Sequence, residues 1–367
     1  MNHGKVRASE LAVVICLFEV GSTTLFLMGA EAKQDAWLAM MIGATAGFLL
    51  LITHLVMYRR DPGLDLFLLF RRYMGKYIGT FMNILFVAYF TYESSRNLRD
   101  SGELTVISLL DQTPEWIIML IIILVVGNLV RYGVETFCLY TVVLFPIVVL
   151  GYLSITILIP ATGLFHFEYM LPVLEKGVSP AFKSAIPEII SFPFGQMVLF
   201  LVFYPYVKKG KNLPKAVIST YIITAIFLTA FNQLNIFVLG PALAANLTLP
   251  LLETVQLIQL TEVFERTDAL FTLVLFIGLG TKMAAFYLGA IIGLERMTGV
   301  SYKKWAAPIG GVIFSLAFLS PTYTQHIAIG RGIAVNIWWP IFQIYLPSLL
   351  LVVMLFRKKK PKATSKN

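Results

Sequence analysis

Stretches of about 20 mostly apolar residues recur along the chain, and a run of that length is what a helix needs to cross the hydrocarbon core of a bilayer. Inside that core no water is present to satisfy peptide N–H and C=O groups, so each crossing must bond its own backbone. Of the 367 residues 58% are hydrophobic and 13% charged, against a soluble-protein average of about a quarter charged. The expectation is an all-α polytopic membrane protein. The runs are too long and too uniformly apolar for the alternating strands of a β-barrel. The first is followed by Lys33 and Asp35 instead of small-residue cleavage chemistry, so it is read as a span and not as a signal peptide.

Ten spans are expected, at about 8–31, 36–58, 77–98, 115–131, 134–159, 185–207, 214–240, 266–292, 304–320 and 334–356. Of the 29 lysines and arginines, 21 fall on the side that holds both chain ends, seven on the other, and Lys282 inside a span. The positive-inside rule then places both termini in the cytoplasm. Ten spans divide into repeat one, about 8–159, and repeat two, about 185–356. Five is odd, so the second set would cross in the opposite sense, as a 5+5 inverted repeat within one transmembrane domain, 1–356. A basic cytoplasmic tail, 357–367, would follow. Residues 64–73 read as a short amphipathic helix on the cytoplasmic face, and 160–184 and 241–265 as outer loops with Pro and Gly turn signals.

Two spans are broken at bilayer depth. Span one is interrupted at Gly21-Ser22-Thr23-Thr24 and span six at Ser191-Phe192-Pro193-Phe194-Gly195-Gln196. Discontinuous helices at matching places of two halves point to a midplane site for a small zwitterion or ion. Helix one would offer freed N–H groups near Ser22–Leu25 to a carboxylate, assisted by the helix dipole. Helix six, where Pro193 removes a donor and Gly195 loosens a turn, would offer carbonyls to an ammonium, with Phe192 and Phe194 walling the side chain. The competing reading is packing, a small-residue groove in the first case and a proline kink in the second.

An ammonium buried mid-span needs a partner. Lys282 is therefore read in three ways: as a replacement for a coupling cation beside the first break, as a strut to Glu19 or Asp268, or as a snorkelling side chain. Glu19 is a proton site or a buried counter-charge. Glu93 and Arg96 are spaced as an ion pair on one helix face, and Tyr89 and Tyr92 share that span. His54 has no metal-ligand spacing near it, and Cys16 and Cys138 read as small apolar residues. No metal, cofactor, catalytic residue set or nucleic-acid partner is expected, and the chain is not read as an enzyme.

Several segments together carry a resemblance. They are Ala32-Lys33-Gln34-Asp35-Ala36-Trp37, Tyr58 with Pro62, Leu171-Pro172-Val173-Leu174-Glu175-Lys176-Gly177, Ser191-Phe192-Pro193-Phe194-Gly195, Glu265-Arg266-Thr267-Asp268, and Lys282. In this order the chain resembles the permease-like B subunits of nutrient germinant receptors of spore-forming bacteria, a spore germination protein family within the amino acid–polyamine–organocation superfamily. The resemblance implies a sensor in the inner membrane of the spore that binds a germinant and works with an A-type subunit and a C-type lipoprotein subunit. It also implies a pocket between spans one, three, six and eight. Gly21, Ser22 and Thr23 are carried onto that pocket with Phe194, Gly195 and Gln196, and further with Tyr92, Thr281 and Lys282.

The expected function is thus a germinant receptor subunit that holds an L-amino acid between the two breaks, with a small apolar side chain favoured by the lack of charge near them. The alternative is a proton-coupled secondary amino acid transporter that uses Glu19 or Lys282 as its coupling group, since one fold serves both roles.

Overall fold

A computed structural model describes residues 6–208, 212–258 and 267–357, the last segment with side chains from Phe271 onward. The basic tail beyond Arg357, Glu265, Arg266 and the side chain of Asp268 lie outside the described residues. The described residues form fifteen α-helices: α1 (Ala8–Thr23), α2 (Ala36–Arg60), α3 (Leu66–Met74), α4 (Lys76–Ser108), α5 (Glu115–Arg131), α6 (Gly133–Ala161), α7 (Ser179–Ser184), α8 (Phe200–Phe203), α9 (Asn212–Leu239), α10 (Pro241–Asn246), α11 (Pro250–Gln256), α12 (Thr267–Thr298), α13 (Tyr302–Ala317), α14 (Tyr323–Ile329) and α15 (Leu346–Phe356). No strand occurs among the described residues; one isolated bridge joins Val6 to Val207.

Among the described residues, six helical stretches are long and apolar enough to cross a membrane: 30–60, 133–161, 179–206, 212–239, 271–298 and 323–356. The other expected crossings depart from that standard. α1, α5 and α13 have only 16, 17 and 16 residues, and α4, though 33 residues long, carries a polar stretch from Glu93 to Glu103 in its second half. The chain is a multi-pass membrane protein in which the shorter helices are packed among the longer ones.

α12 lies at the centre against α4, α1, α6 and α13. Its approach to α1 is set by two glycines, because a Cβ on Gly21 would stand 2.4 Å from the carbonyl oxygen of Gly278. Such close backbone contact is how membrane helices gain packing energy without a hydrophobic drive between them. Around this crossing Phe18, Phe200, Phe286, Phe90 and Phe86 interlock in edge-to-face and tilted pairs at centroid spacings of 5.1–6.0 Å. On the opposite side of the molecule from α10 and α11, the amphipathic α3 is capped by the Asp65 carboxylate, which accepts from Leu68 N at 3.0 Å. Asp65 also meets Arg296 of α12 at 2.6 Å, and burial pushes its carboxyl above the usual range against the pull of that guanidinium.

Both expected breaks take a different form from the one the sequence implies. The first helix is intact through Gly21, Ser22 and Thr23 and ends there. Residues 24–29 run as turns, followed by a 3-10 segment at 30–35, so no outer half-helix begins beside Ser22. The N–H groups of Thr24, Leu25 and Phe26 are already taken by the carbonyls of Val20, Ser22 and Thr23. The turn is held by Asn232 of α9, which accepts from Met28 N at 2.8 Å and donates to Met28 O at 2.9 Å. The second interruption tightens instead of unravelling. π-type turns at 185–189 give way at Phe192-Pro193 to 3-10 turns at 194–199, and Gln196 N bonds the Pro193 carbonyl at 3.0 Å. Two motif segments of the sequence meet outside this core: Asp35 accepts from Leu174 N at 3.0 Å, and Gln34 donates to Pro172 O and Glu175 Oε2.

Candidate functional site

A cavity of about 60 Å³ lies where the two interruptions face each other. Ser22, Phe26 and Met28 come from the first, and Phe192 and Gln196 from the second. The remaining wall is α4 with Glu93, Arg96, Asn97 and Asp100, and the last helical stretch with Arg331, Val335 and Trp339. A larger cavity of about 520 Å³, whose lining includes Asp65, Tyr206, Glu295 and Arg296, touches neither interruption, and its Asp65 and Arg296 form the α3–α12 clamp.

Glu93 organises the small cavity. One of its carboxylate oxygens accepts from Trp339 Nε1 at 2.6 Å and the other from Gln196 Nε2 at 3.1 Å. The Trp339 ring stacks on Phe192 at 5.5 Å and 22°. One acid thus ties α4, the second interruption and the last helical stretch into a closed door. Glu93 does not form the expected ion pair with Arg96, whose guanidinium donates to the His326 carbonyl at 3.2 Å while His326 lies 3.2 Å from Asp100. The reason is register: Trp339 and Gln196 reach Glu93 from facing helices and satisfy it first.

Lys282 lies beneath the cavity, wholly buried, with its ammonium 4.5 Å from the Phe192 ring and 5.1 Å from the Phe18 ring. It does not snorkel. A desolvated ammonium over two aromatic faces gains about 2 kcal/mol or more per contact, yet its donors have no hydrogen-bond acceptor. Glu19 is equally buried, and neither of its oxygens has a partner. The two make no ion-pair contact, so the strut to Glu19 is absent as a bonded pair.

Of the residues expected at the site, Ser22, Phe192 and Gln196 line the cavity. Gly21 is a packing contact. Thr23 turns its hydroxyl to the Glu19 carbonyl at 2.5 Å. Phe194 faces away, packed on Tyr221 at 5.4 Å, so of the expected pair Phe192 alone walls the cavity, joined there by Phe26 from the first interruption. Gly195 is fitted against Gln343, whose Oε1 would stand 2.4 Å from an added Cβ. Tyr92 and Thr281 are not among the lining residues; the Thr281 hydroxyl is buried and unpartnered. The surroundings are also more charged than the breaks alone implied, with Arg96, Asp100, Glu188 and Arg331 at the rim. Ionisable residues in membrane segments are a signal of function, and these four, with Trp339, were open to that reasoning.

Residues 5–326 match the profile of the spore germination protein family. Spore germination protein KB of Bacillus subtilis (strain 168) is 27% identical over 98% of this chain and 97% of its own length. Two further proteins of that organism are each 23% identical: spore germination protein YndE, over 98% of both chains, and spore germination protein B2, over 87% of both. A match that covers residues 5–326, both interruptions included, makes this chain a member of the spore germination protein family.

Proposed function

We propose that this chain is the ligand-binding subunit of a nutrient germinant receptor, and that its germinant is a small zwitterion, an L-amino acid, held in the cavity between the two interruptions. The observation that carries this reading is the buried Glu93, bonded to Trp339 and Gln196 across three elements. An incoming ammonium would take over Glu93 and release both. The carboxylate would go to Arg96 or Arg331 at the rim, since the N–H groups after Ser22 are occupied. A cavity of 60 Å³ is well below the ~300 Å³ or more of a typical small-molecule site, so it must open for an amino acid. Ligand binding and displacement of Trp339 are then one event. A tenfold preference for the opened form supplies about 1.4 kcal/mol; a switch from 1:99 to 99:1 needs about 5.5 kcal/mol.

The same reading takes ten crossings in a 5+5 inverted repeat with both termini cytoplasmic, in the inner membrane of the spore, and A-type and C-type (lipoprotein) subunits as partners. It is supported by the family membership and by the helical stretches at each expected position. Glu93→Gln is expected to lower germinant sensitivity at least tenfold while the subunit accumulates normally, as read by germination of spores against germinant concentration together with immunoblotting. Unchanged sensitivity would overturn the site.

Proton-coupled transport of an amino acid is the second reading, favoured by the partnerless Glu19 and Lys282 beneath the cavity. Labelled amino acid and purified protein in proteoliposomes separate the two. Saturable, gradient-driven accumulation supports transport; binding without accumulation supports sensing.

A further inference from the structure

The cavity beside the Asp65–Arg296 pair, about 520 Å³, is of the size that takes a small molecule, roughly 300–1,000 Å³. It lies at the end of the molecule where Val6 pairs with Val207 and the Arg357 carbonyl accepts from Arg60 at 3.1 Å. Its deep wall is apolar, formed by Leu288 and Ile292 of α12 with Val134 and Pro205, all buried. The polar part of the lining is open to a solute: Tyr132 and Lys303 are exposed, and Glu135, Tyr206, Glu295 and Tyr302 are half-buried. Tyr302 ties two sides of the cavity together. The turn between α5 and α6 closes on it at Gly133, where φ is +87° and an added Cβ would stand 2.5 Å from the Tyr302 hydroxyl. From α12, Glu295 accepts from the Tyr302 N–H at 3.2 Å. The tyrosine thus bridges the elements that carry Glu135 and Glu295.

Charge selects the occupant. Among the described residues the lining carries Asp65, Glu135 and Glu295 against Arg296 and Lys303, an excess of negative charge on the side of the molecule that gathers most of its lysines and arginines. The Arg296 guanidinium is answered within the protein, by Asp65 at 2.6 Å, the Tyr206 hydroxyl at 3.4 Å and Glu295 at 3.9 Å. A carboxylate oxygen can accept more than one hydrogen bond, so Glu295 can serve a donor besides Tyr302, and the faces of tyrosine rings attract cations. An anion would instead meet three carboxylates. We propose that this cavity binds an organic ammonium, a primary amine on a hydrocarbon body, with its charged head between Glu135 and Glu295 and its body against Leu288 and Ile292. The site is separate from the cavity at Glu93 and does not depend on what that cavity binds.

The full-length chain in detergent is titrated calorimetrically with three probes of one shape: 2-phenylethylamine, 2-phenylethanol and 3-phenylpropionate. The expected result is saturable binding of the amine at least tenfold tighter than the alcohol, the equivalent of about 1.4 kcal/mol, and no binding of the acid. Glu135→Gln combined with Glu295→Gln should remove the margin over the alcohol, since each amide keeps an acceptor oxygen, the second for Tyr302 N–H, but loses the charge. Glu93→Gln should leave the margin in place. The comparison of amine with alcohol on the unaltered chain stands whether or not the double variant folds. Absent amine binding, equal affinity for amine and alcohol, a margin that survives in a folded double variant, or its loss in Glu93→Gln, which would put the amine in the other cavity, would each overturn the proposal.

Discussion

Glu93 and Gly21 stand for two kinds of residue that a membrane sequence displays in the same way, as departures from an apolar run. Glu93 holds a bonded acid at the junction of three elements, whereas Gly21 makes room for the Gly278 carbonyl. Gly21→Val is therefore expected to lower stability by about 1–3 kcal/mol through overpacking, visible as a lower melting temperature in detergent. Ser22→Ala, one residue away and facing the cavity, should leave that temperature unchanged. Equal melting of the two variants would show that the α1–α12 approach is not set by Gly21. The sequence marks the neighbourhood of Gly21, Ser22 and Thr23 but not which of them faces the cavity, because one residue of helix rotates a side chain by about 100°. Phe194 and Gly195, just before Gln196, miss the cavity for the same reason and pack on Tyr221 and Gln343.

Among elements, the amphipathic α3 was the most legible. Its alternation of Leu66, Phe67, Leu69 and Phe70 with Arg71 and Arg72 needs no tertiary information. Its anchorage did require tertiary information, since Asp65 and Arg296 are distant in the chain and meet at 2.6 Å. Breaking a buried pair by removing one partner is expected to cost about 3–5 kcal/mol. Arg296→Met should accordingly lower the melting temperature in detergent, and Asp65→Leu added to it should restore much of the loss. A double variant no better than the single would assign the effect to lost packing of the arginine stem. The interruptions were legible as places but not as conformations. Pro193 and the Gly-Ser-Thr-Thr run mark weak helix, while Asn232, through its two bonds to Met28, decides where the chain leaves α1. Asn232, Gln233 and Asn235 stand together in the apolar α9, a polar cluster that could have disclosed this role. Trp339 sits where π-type turns at 330–338 meet those at 340–345, a local over-widening found often at functional sites and without a signature in the sequence.

At the scale of the whole molecule, the apolar runs, the family motifs and the facing interruptions agree with one another, and Glu93 converts that agreement into a mechanism. The described state is closed, with Trp339 on Glu93 and a cavity too small for an amino acid. A ligand changes this state only by its difference in affinity for the open one. Arg96, Asp100, Glu188 and Arg331 line the cavity together with Glu93. The most direct measurement is a cryo-electron microscopy structure of the subunit, in its receptor complex, with a saturating germinant amino acid. The account predicts density between Ser22, Phe192 and Glu93, an ammonium within hydrogen-bond distance of the Glu93 carboxylate, and the Trp339 indole swung off it. Density for the amino acid elsewhere, with the Glu93–Trp339 bond intact, would contradict it.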